Sequence, residues 1–213
     1  MTDIFKEVEE ELKKDQAAKL WSKYGRYVIA AAVAVVLATA GYNLWLKWDK
    51  VQREERSDTF AAAAGLAAKT ETEAALRGFA ELGGPDGGYG TLAVFERARL
   101  LAGDGDTAGA IALWDELAAD DQAGAAFKSL ATVLSVLHQI DEGDATALTA
   151  RLDPLTRPGN GYRPIALELT AALALRDGDR TRARDLYILI ADDLSAPAGL
   201  RARAAQMLEA LKE

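Results

Sequence analysis

From Tyr27 to Leu46 the chain reads YVIAAAVAVVLATAGYNLWL, twenty residues without a charge. A helix rising 1.5 Å per residue over that length measures about 30 Å, the thickness of a bilayer's hydrocarbon core. Trp21, Tyr24 and Tyr27 lie at one end of the run, and Tyr42, Trp45 and Trp48 at the other. Aromatic rings collect where hydrocarbon meets water, so the two belts point to a single transmembrane helix. A buried core helix would not need aromatics at both ends. A cleaved export signal finds support in Ala38-Thr39-Ala40, which has the form of a cleavage box. Against cleavage stand the 26 residues ahead of the run, which include Glu7, Glu9, Glu10, Glu11 and Asp15, and the apolar and aromatic residues that continue to Trp48.

Orientation follows from the flanking charges. Lys13, Lys14, Lys19, Lys23 and Arg26 precede the run, and Lys47, Lys50, Arg53 and Arg56 follow it. Lys23 and Arg26 have no acid nearby, whereas Lys47 and Lys50 flank Asp49. The positive-inside rule then keeps the N-terminus in the cytoplasm and carries the C-terminal part across. The expected layout is a cytoplasmic amphipathic segment over 1–26, the membrane helix over 27–46, and a domain outside the cytoplasm over 47–213. In the first segment Phe5, Val8 and Leu12 share one helical face, and Leu20, Trp21 and Tyr24 form a second short stripe. That pattern suits a partner-binding or membrane-surface helix, or a solvated lead-in to the span.

After residue 50, Ala and Leu are abundant while Val, Ile, Thr and aromatics are scarce, a bias toward helix. The five prolines, Pro85, Pro154, Pro158, Pro164 and Pro197, all fall in or beside expected breaks. Charge is uneven. Residues 1–48 hold seven Lys/Arg and six Asp/Glu; residues 49–213 hold 18 and 27, a net of -9. Phosphates would be repelled by such a domain, so no nucleic-acid partner is expected. The absence of cysteine excludes disulfides, thiol chemistry and cysteine-ligated metals.

Three breaks carry the same text: Asp104-Gly105-Asp106, Glu142-Gly143-Asp144 and Asp177-Gly178-Asp179. Counting from each Gly, the fifth residue on is Ala110, Leu148 or Ala183, and the ninth is Trp114, Leu152 or Tyr187. An earlier unit starting at Thr70 lacks the Gly but has Ala75 and Phe79 at the same offsets. Gly can end a helix in the left-handed conformation, and the following Asp can cap the next helix. Gly105-Asp106, Gly143-Asp144 and Gly178-Asp179 are thus stop-and-restart signals for helix hairpins. The small residue lets paired helices approach, and the aromatic one turn later fills the seam. The expected helices are 3–24, 26–68, 71–82, 90–103, 107–119, 123–141, 145–153, 161–176, 180–193 and 197–211. The fold class is all-α: an N-terminal transmembrane helix followed by a tetratricopeptide-like array of antiparallel helix pairs with a period near 35. An irregular helical bundle with chance Gly-Asp turns is the rival architecture.

The opening DIFKEVEEELKKDQAAKLWSKYGRYVIA, the single span, and GDTAGAIALWDEL with GDRTRARDLYILI resemble the YfgM-type ancillary SecYEG translocon subunit family of proteobacteria. The resemblance implies an inner-membrane protein with a periplasmic tetratricopeptide-like domain over 47–213. It also implies association with the protein-export channel and with periplasmic chaperones or emerging clients. An accessory or assembly subunit of another inner-membrane complex, such as a respiratory one, is the alternative.

Catalytic motifs find no support. His138 is the only histidine and sits in the apolar stretch SLATVLSVLHQI, with no nucleophile beside it. The Asp-Gly-Asp breaks lack the alternating ligands and terminal Glu of a calcium loop, and capping accounts for their acids. The Gly-rich stretch 83–90 lacks the Lys and Ser/Thr of a phosphate loop and reads as a connector. No enzyme, cofactor or metal is expected. The first helix of each pair should form the partner surface. Arg97, Arg99, His138 and Glu168 are the candidate groove residues.

Overall fold

In this computed structural model the described residues are 2–84 and 87–212, with side chains at 2–17, 19, 20 and 28 outside the description. Phe5, Val8, Leu12 and Leu20, assigned to two helical stripes, therefore lie outside it, as do Pro85 and Asp86 of the Gly-rich stretch. Every element among the described residues is helical. The helices are α1 (Thr2–Ala68), α2 (Thr72–Glu81), α3 (Gly88–Gly103), α4 (Thr107–Ala119), α5 (Ala125–Gln139), α6 (Ala145–Leu152), α7 (Arg163–Arg176), α8 (Arg180–Ala191) and α9 (Ala198–Ala210). A 3-10 turn, Asp153–Thr156, follows α6 where Pro154 cannot continue its hydrogen-bond ladder. The chain forms two units, one up to Glu55 and one from Arg56.

The first unit belongs to α1, which is long and apolar enough to cross a membrane. Val33, Val35, Val36, Leu37 and Leu44 are all exposed along it. At the two ends of its uncharged run Lys23 lies over the Tyr24 ring, Arg26 over Tyr27, and Tyr42 stacks on Trp45. The polar residues inside the run turn back on the helix. Thr39 Oγ1 donates to the Val35 carbonyl, and Asn43 Nδ2 to that of Thr39. The expected break between 24 and 26 does not occur, because α1 passes through Gly25. A mid-helix glycine costs only about 1 kcal/mol and does not by itself end a helix. Here the Trp21 indole lies over Gly25, where a Cβ would come within 3.2 Å of the ring.

In the second unit the end of α1 pairs with α2, α3 with α4, α5 with α6 and α7 with α8, and α9 closes the last pair. Four apolar clusters follow one another along it. Phe79 anchors the first with Ala63, Ala75 and Ala93. Trp114 anchors the second with Ala98, Ala110 and Ala131. Leu148 and Leu152 fill the third with Val136 and Leu173. Tyr187 fills the fourth with Ala171, Ala183 and Ala204. Ala75, Ala110 and Ala183 are wholly buried. Where the residue nine positions on is Leu152 rather than an aromatic, Leu148 replaces the small residue and the two leucines occupy the seam together.

The hinges show how the local text becomes geometry. Gly105 (φ 93°) and Gly178 (φ 84°) are left-handed. The N–H of Asp106 donates to the Leu101 carbonyl and that of Gly105 to Ala102. Asp179 to Ala174 and Gly178 to Leu175 repeat the pattern. This doubly bonded arrangement satisfies carbonyls that the helix end leaves free. The next helix starts at once, since Asp106 accepts from Gly109 N–H and Asp179 from Arg182 N–H, each at 2.9 Å. Thr70 adopts the same turn at φ 62°, with Glu71 N–H donating to the Leu66 carbonyl. A β-branched residue is thus held in a conformation that favours glycine. The third hinge departs from the expected left-handed stop, because Gly143 is absent from the left-handed set. Asp144 still caps α6, accepting from Ala147 N–H at 2.7 Å. Gly143 is required there for closeness: a Cβ would meet the Gln139 carbonyl oxygen at 2.8 Å and Leu148 Cδ1 at 2.9 Å.

Candidate functional site

Two successive first helices, α3 and α5, line one apolar groove with a cavity of about 570 Å³. From α3 come Leu92, Phe95, Glu96 and Arg99, residues spaced to lie on one helical face. From α5 come Phe127, Leu130, Leu134 and His138, again on one face. Trp114 of α4 contributes from the seam. The opposite face of α3 buries Ala93, Val94 and Ala98, and α5 buries Ala131 and Val136. Small side chains therefore pack helix on helix, while larger apolar ones are turned into the groove. Leu92 and Phe127 are exposed, at 40 % and 36 %. The Phe95 and Phe127 rings approach to 6.1 Å.

Polar atoms in the groove are few and mostly engaged. Arg99 pairs with Glu96 at 2.8 Å, so the two charges cancel locally. His138 Nδ1 donates to the Leu134 carbonyl at 2.9 Å, and its ring lies 4.5 Å from that of Trp114. Trp114 Nε1 is buried without a hydrogen-bond partner. Leaving such a donor unpaired costs about 1–3 kcal/mol, and the indole is kept here by its apolar contacts. Among the described residues no group of three or more His, Cys, Asp or Glu could hold a metal.

Of the four residues marked for the partner surface, Arg99 and His138 meet in this groove. Arg97 is half-buried on α3 and does not line it. Glu168, on α7, accepts two bonds from Arg203 of α9, each at 2.9 Å, which raises the Arg203 pKa. The same carboxylate adds to burial in pushing the Tyr187 hydroxyl pKa up. Sequence reasoning sought charged contacts and missed Leu92, Phe95, Phe127, Leu130 and Leu134. The signal was partial: Phe95 and Leu134 also pack against the Trp114 cluster, whereas Leu92 and Phe127 are exposed apolar residues on their helices.

A larger cavity, about 790 Å³, is lined by Pro158, Asn160, Arg163, Leu189, Asp193 and Pro197. Its central charges are already paired, with Arg163 Nη1 on Asp193 at 2.9 Å and Nε on the Thr156 carbonyl at 3.0 Å. Leu189 is exposed there too, but the smaller groove has the more apolar lining, with Phe95, Phe127 and Trp114 along it.

Residues 18–212 match the family model described as a tetratricopeptide repeat-like domain. No curated protein and no solved structure matches the chain. Domains of this kind serve as protein-interaction scaffolds. The paired helices, the buried small-and-large seam residues and the match over nearly the whole length agree: the chain belongs to the tetratricopeptide repeat-like domain family.

Proposed function

We propose that this chain is a membrane-tethered, periplasmic protein-binding scaffold that serves as an accessory factor of the protein-export channel. In this reading residues 1–26 lie in the cytoplasm, 27–46 cross the inner membrane and 47–213 stand in the periplasm. The observation that carries the scaffold role is the groove between α3 and α5, where Leu92 and Phe127 face solvent instead of the core. Single exposed apolar residues are ordinary, but a lined groove of them marks an interaction site. The tether is supported by the exposed valines and leucines of α1. Each such side chain gains about 1.5–3 kcal/mol on leaving water. Tethering holds the groove near one membrane complex, so weak contacts suffice. The export channel and its chaperones as partners rest on the likeness of the N-terminal text to the YfgM-type subunits.

The test is photo-crosslinking in cells from a reactive residue placed at Leu92 or Phe127. Adducts with the channel or with periplasmic chaperones support the proposal, whereas adducts with oxidase or reductase subunits would replace it with a role in a respiratory complex. A C-terminal alkaline phosphatase fusion should be active; an inactive fusion beside a working cytoplasmic reporter reverses the orientation.

A further inference from the structure

We infer that the N-terminal end of the membrane helix binds an anionic phospholipid, with Lys23 and Arg26 on its phosphate and Val33 and Leu37 along an acyl chain. The inference rests on reading α1 as a membrane span and adds a lipid class to that reading.

The two ends of the uncharged run differ in how their cations are balanced. Residues 47–56, past the run, hold four Lys/Arg and three Asp/Glu. There Asp49 pairs with Arg53, and Lys50 Nζ lies 3.6 Å from Glu54. Residues 16–26, before the run, hold Lys19, Lys23 and Arg26 and no acid. Among the described residues, Lys23 and Arg26 have tyrosine rings where the far end has carboxylates. Lys23 Nζ lies 5.4 Å from the centre of the Tyr24 ring, and the Arg26 guanidinium 4.8 Å from that of Tyr27. Arg26 Nη2 also donates to the Tyr27 hydroxyl at 3.0 Å. A ring face or a phenol holds a cation in place without neutralising it. That bond uses one of the several N–H donors of the guanidinium, and the rest can reach a phosphate.

Position says what kind of anion fits. Lys23 and Arg26 stand three residues apart, where like charges on a helix repel, and an anion between them relieves the repulsion. Ala30, Val33 and Leu37 follow Arg26 at i+4, i+7 and i+11, on the same side of the helix. Val33 and Leu37 are exposed. From Arg26 to Leu37 the helix rises about 16 Å, close to half the thickness of the hydrocarbon core and so to the depth of one leaflet. A pair of cations at the head of an apolar stripe one leaflet deep matches a phosphate joined to an acyl chain. A free phosphate would leave the stripe unused. A zwitterionic headgroup would bring its own ammonium against Lys23 and Arg26.

The experiment uses the full-length chain in phosphatidylcholine vesicles that contain increasing fractions of phosphatidylglycerol. One lipid or the other is brominated in its acyl chains, so that it quenches nearby indoles. Two reporter chains are compared. Val33→Trp, with Trp21, Trp45 and Trp48 changed to Phe, reads the stripe below the cations. Native Trp45, with Trp21 and Trp48 changed to Phe, reads the other end. A chain that keeps only Trp114 supplies the background of both. Quenching at position 33 should show about fivefold preference for phosphatidylglycerol, and quenching of Trp45 close to none. Adding Lys23→Gln and Arg26→Gln should bring the first to the level of the second, while Lys23→Arg with Arg26→Lys should keep the preference. Equal preference at both ends overturns the inference, as does a preference that survives the two Gln changes. Competition by inorganic phosphate at constant ionic strength assigns the cations to a free anion and overturns it too. If both lipids quench position 33 alike, this inference fails and the span reading stands. If neither lipid quenches it, both fail.

Discussion

Arg176 of α7 donates through Nη2 to the carbonyl oxygen of Gly143, over 2.6 Å. Its Nη1 reaches the Ile140 carbonyl at 2.7 Å. The guanidinium therefore completes the end of α5, the one Gly-Asp hinge that lacks a left-handed glycine. A later repeat satisfies carbonyls that the other hinges satisfy through their own backbone. Charged hydrogen bonds of this kind are worth about 1.5–3 kcal/mol each before solvent exposure reduces them. Arg176→Ala should lower stability by about 1–2 kcal/mol, and Arg176→Lys, which lacks the planar fork, should recover only part. Denaturant unfolding of the two variants in detergent checks this; an unchanged midpoint for Arg176→Ala would show the contact to be idle.

Thr70 offers the opposite sign. Its φ of 62° costs a residue with a Cβ about 1–2 kcal/mol. Thr70→Gly should raise stability by about 1 kcal/mol, or ~2–4 °C in Tm for a chain of this size. Gly178→Thr, which places the same side chain at a left-handed position (φ 84°), should lower it by a comparable amount. Thermal melts read by circular dichroism decide both.

A half-buried polar knot, with Ser135 at its bottom and Asp115 and Arg151 partly open to solvent, joins α4, α5 and α6. Ser135 has no exposed surface; it donates to Asp115, and Arg151 donates to both of them. Gln139 Nε2 adds a bond to Ser135 Oγ at 2.8 Å. Removing one member strands the others, so Asp115→Ala should cost about 1–3 kcal/mol. Asp115→Ala and Arg151→Ala together should cost less than the sum of the two, because the partners act as one network. A double-mutant cycle measures the coupling, and strict additivity would dissolve the knot into independent contacts.

Asp193 makes stability depend on acid. The Ser195 hydroxyl, the Ser195 N–H and then the Arg163 charge hold its carboxyl below the usual carboxylate range. A depressed folded-state pKa means stabilisation that is fully present above the unfolded value and lost as pH falls through the folded one. Ser195→Ala should raise the Asp193 pKa and narrow that acid window, and Asp193→Asn should remove this contribution. Carboxyl chemical shifts followed through an acid titration give the pKa directly. A Ser195→Ala protein whose Asp193 titrates at the same pH as the parent would refute the assignment.

Much of this architecture is written in short-range text. The offsets of Ala75 and Phe79, Ala110 and Trp114, and Ala183 and Tyr187 determine which faces pair, because helical spacing alone puts each two on one side. Asp106, Asp144 and Asp179 state where a helix begins, since a capping carboxylate acts on backbone only three residues away. The uncharged run from Tyr27 to Leu46 likewise depends on nothing distant. Gly25 misled for the same local reason: a glycine permits a break but does not compel one, and the Trp21 ring over it favours continuity.

What the tertiary structure alone decided are the relationships across repeats. That Arg176 would serve Gly143, that Arg203 would hold Glu168, and that Ser135 would be buried beneath Asp115 and Arg151 depends on residues 16 to 36 positions apart. No helical period links them, because their meeting is set by how one pair stacks on the next. The groove belongs to this second class. Leu92 and Phe127 are ordinary apolar letters on two helices until α3 and α5 stand side by side over Trp114, and only that stacking turns them into a surface.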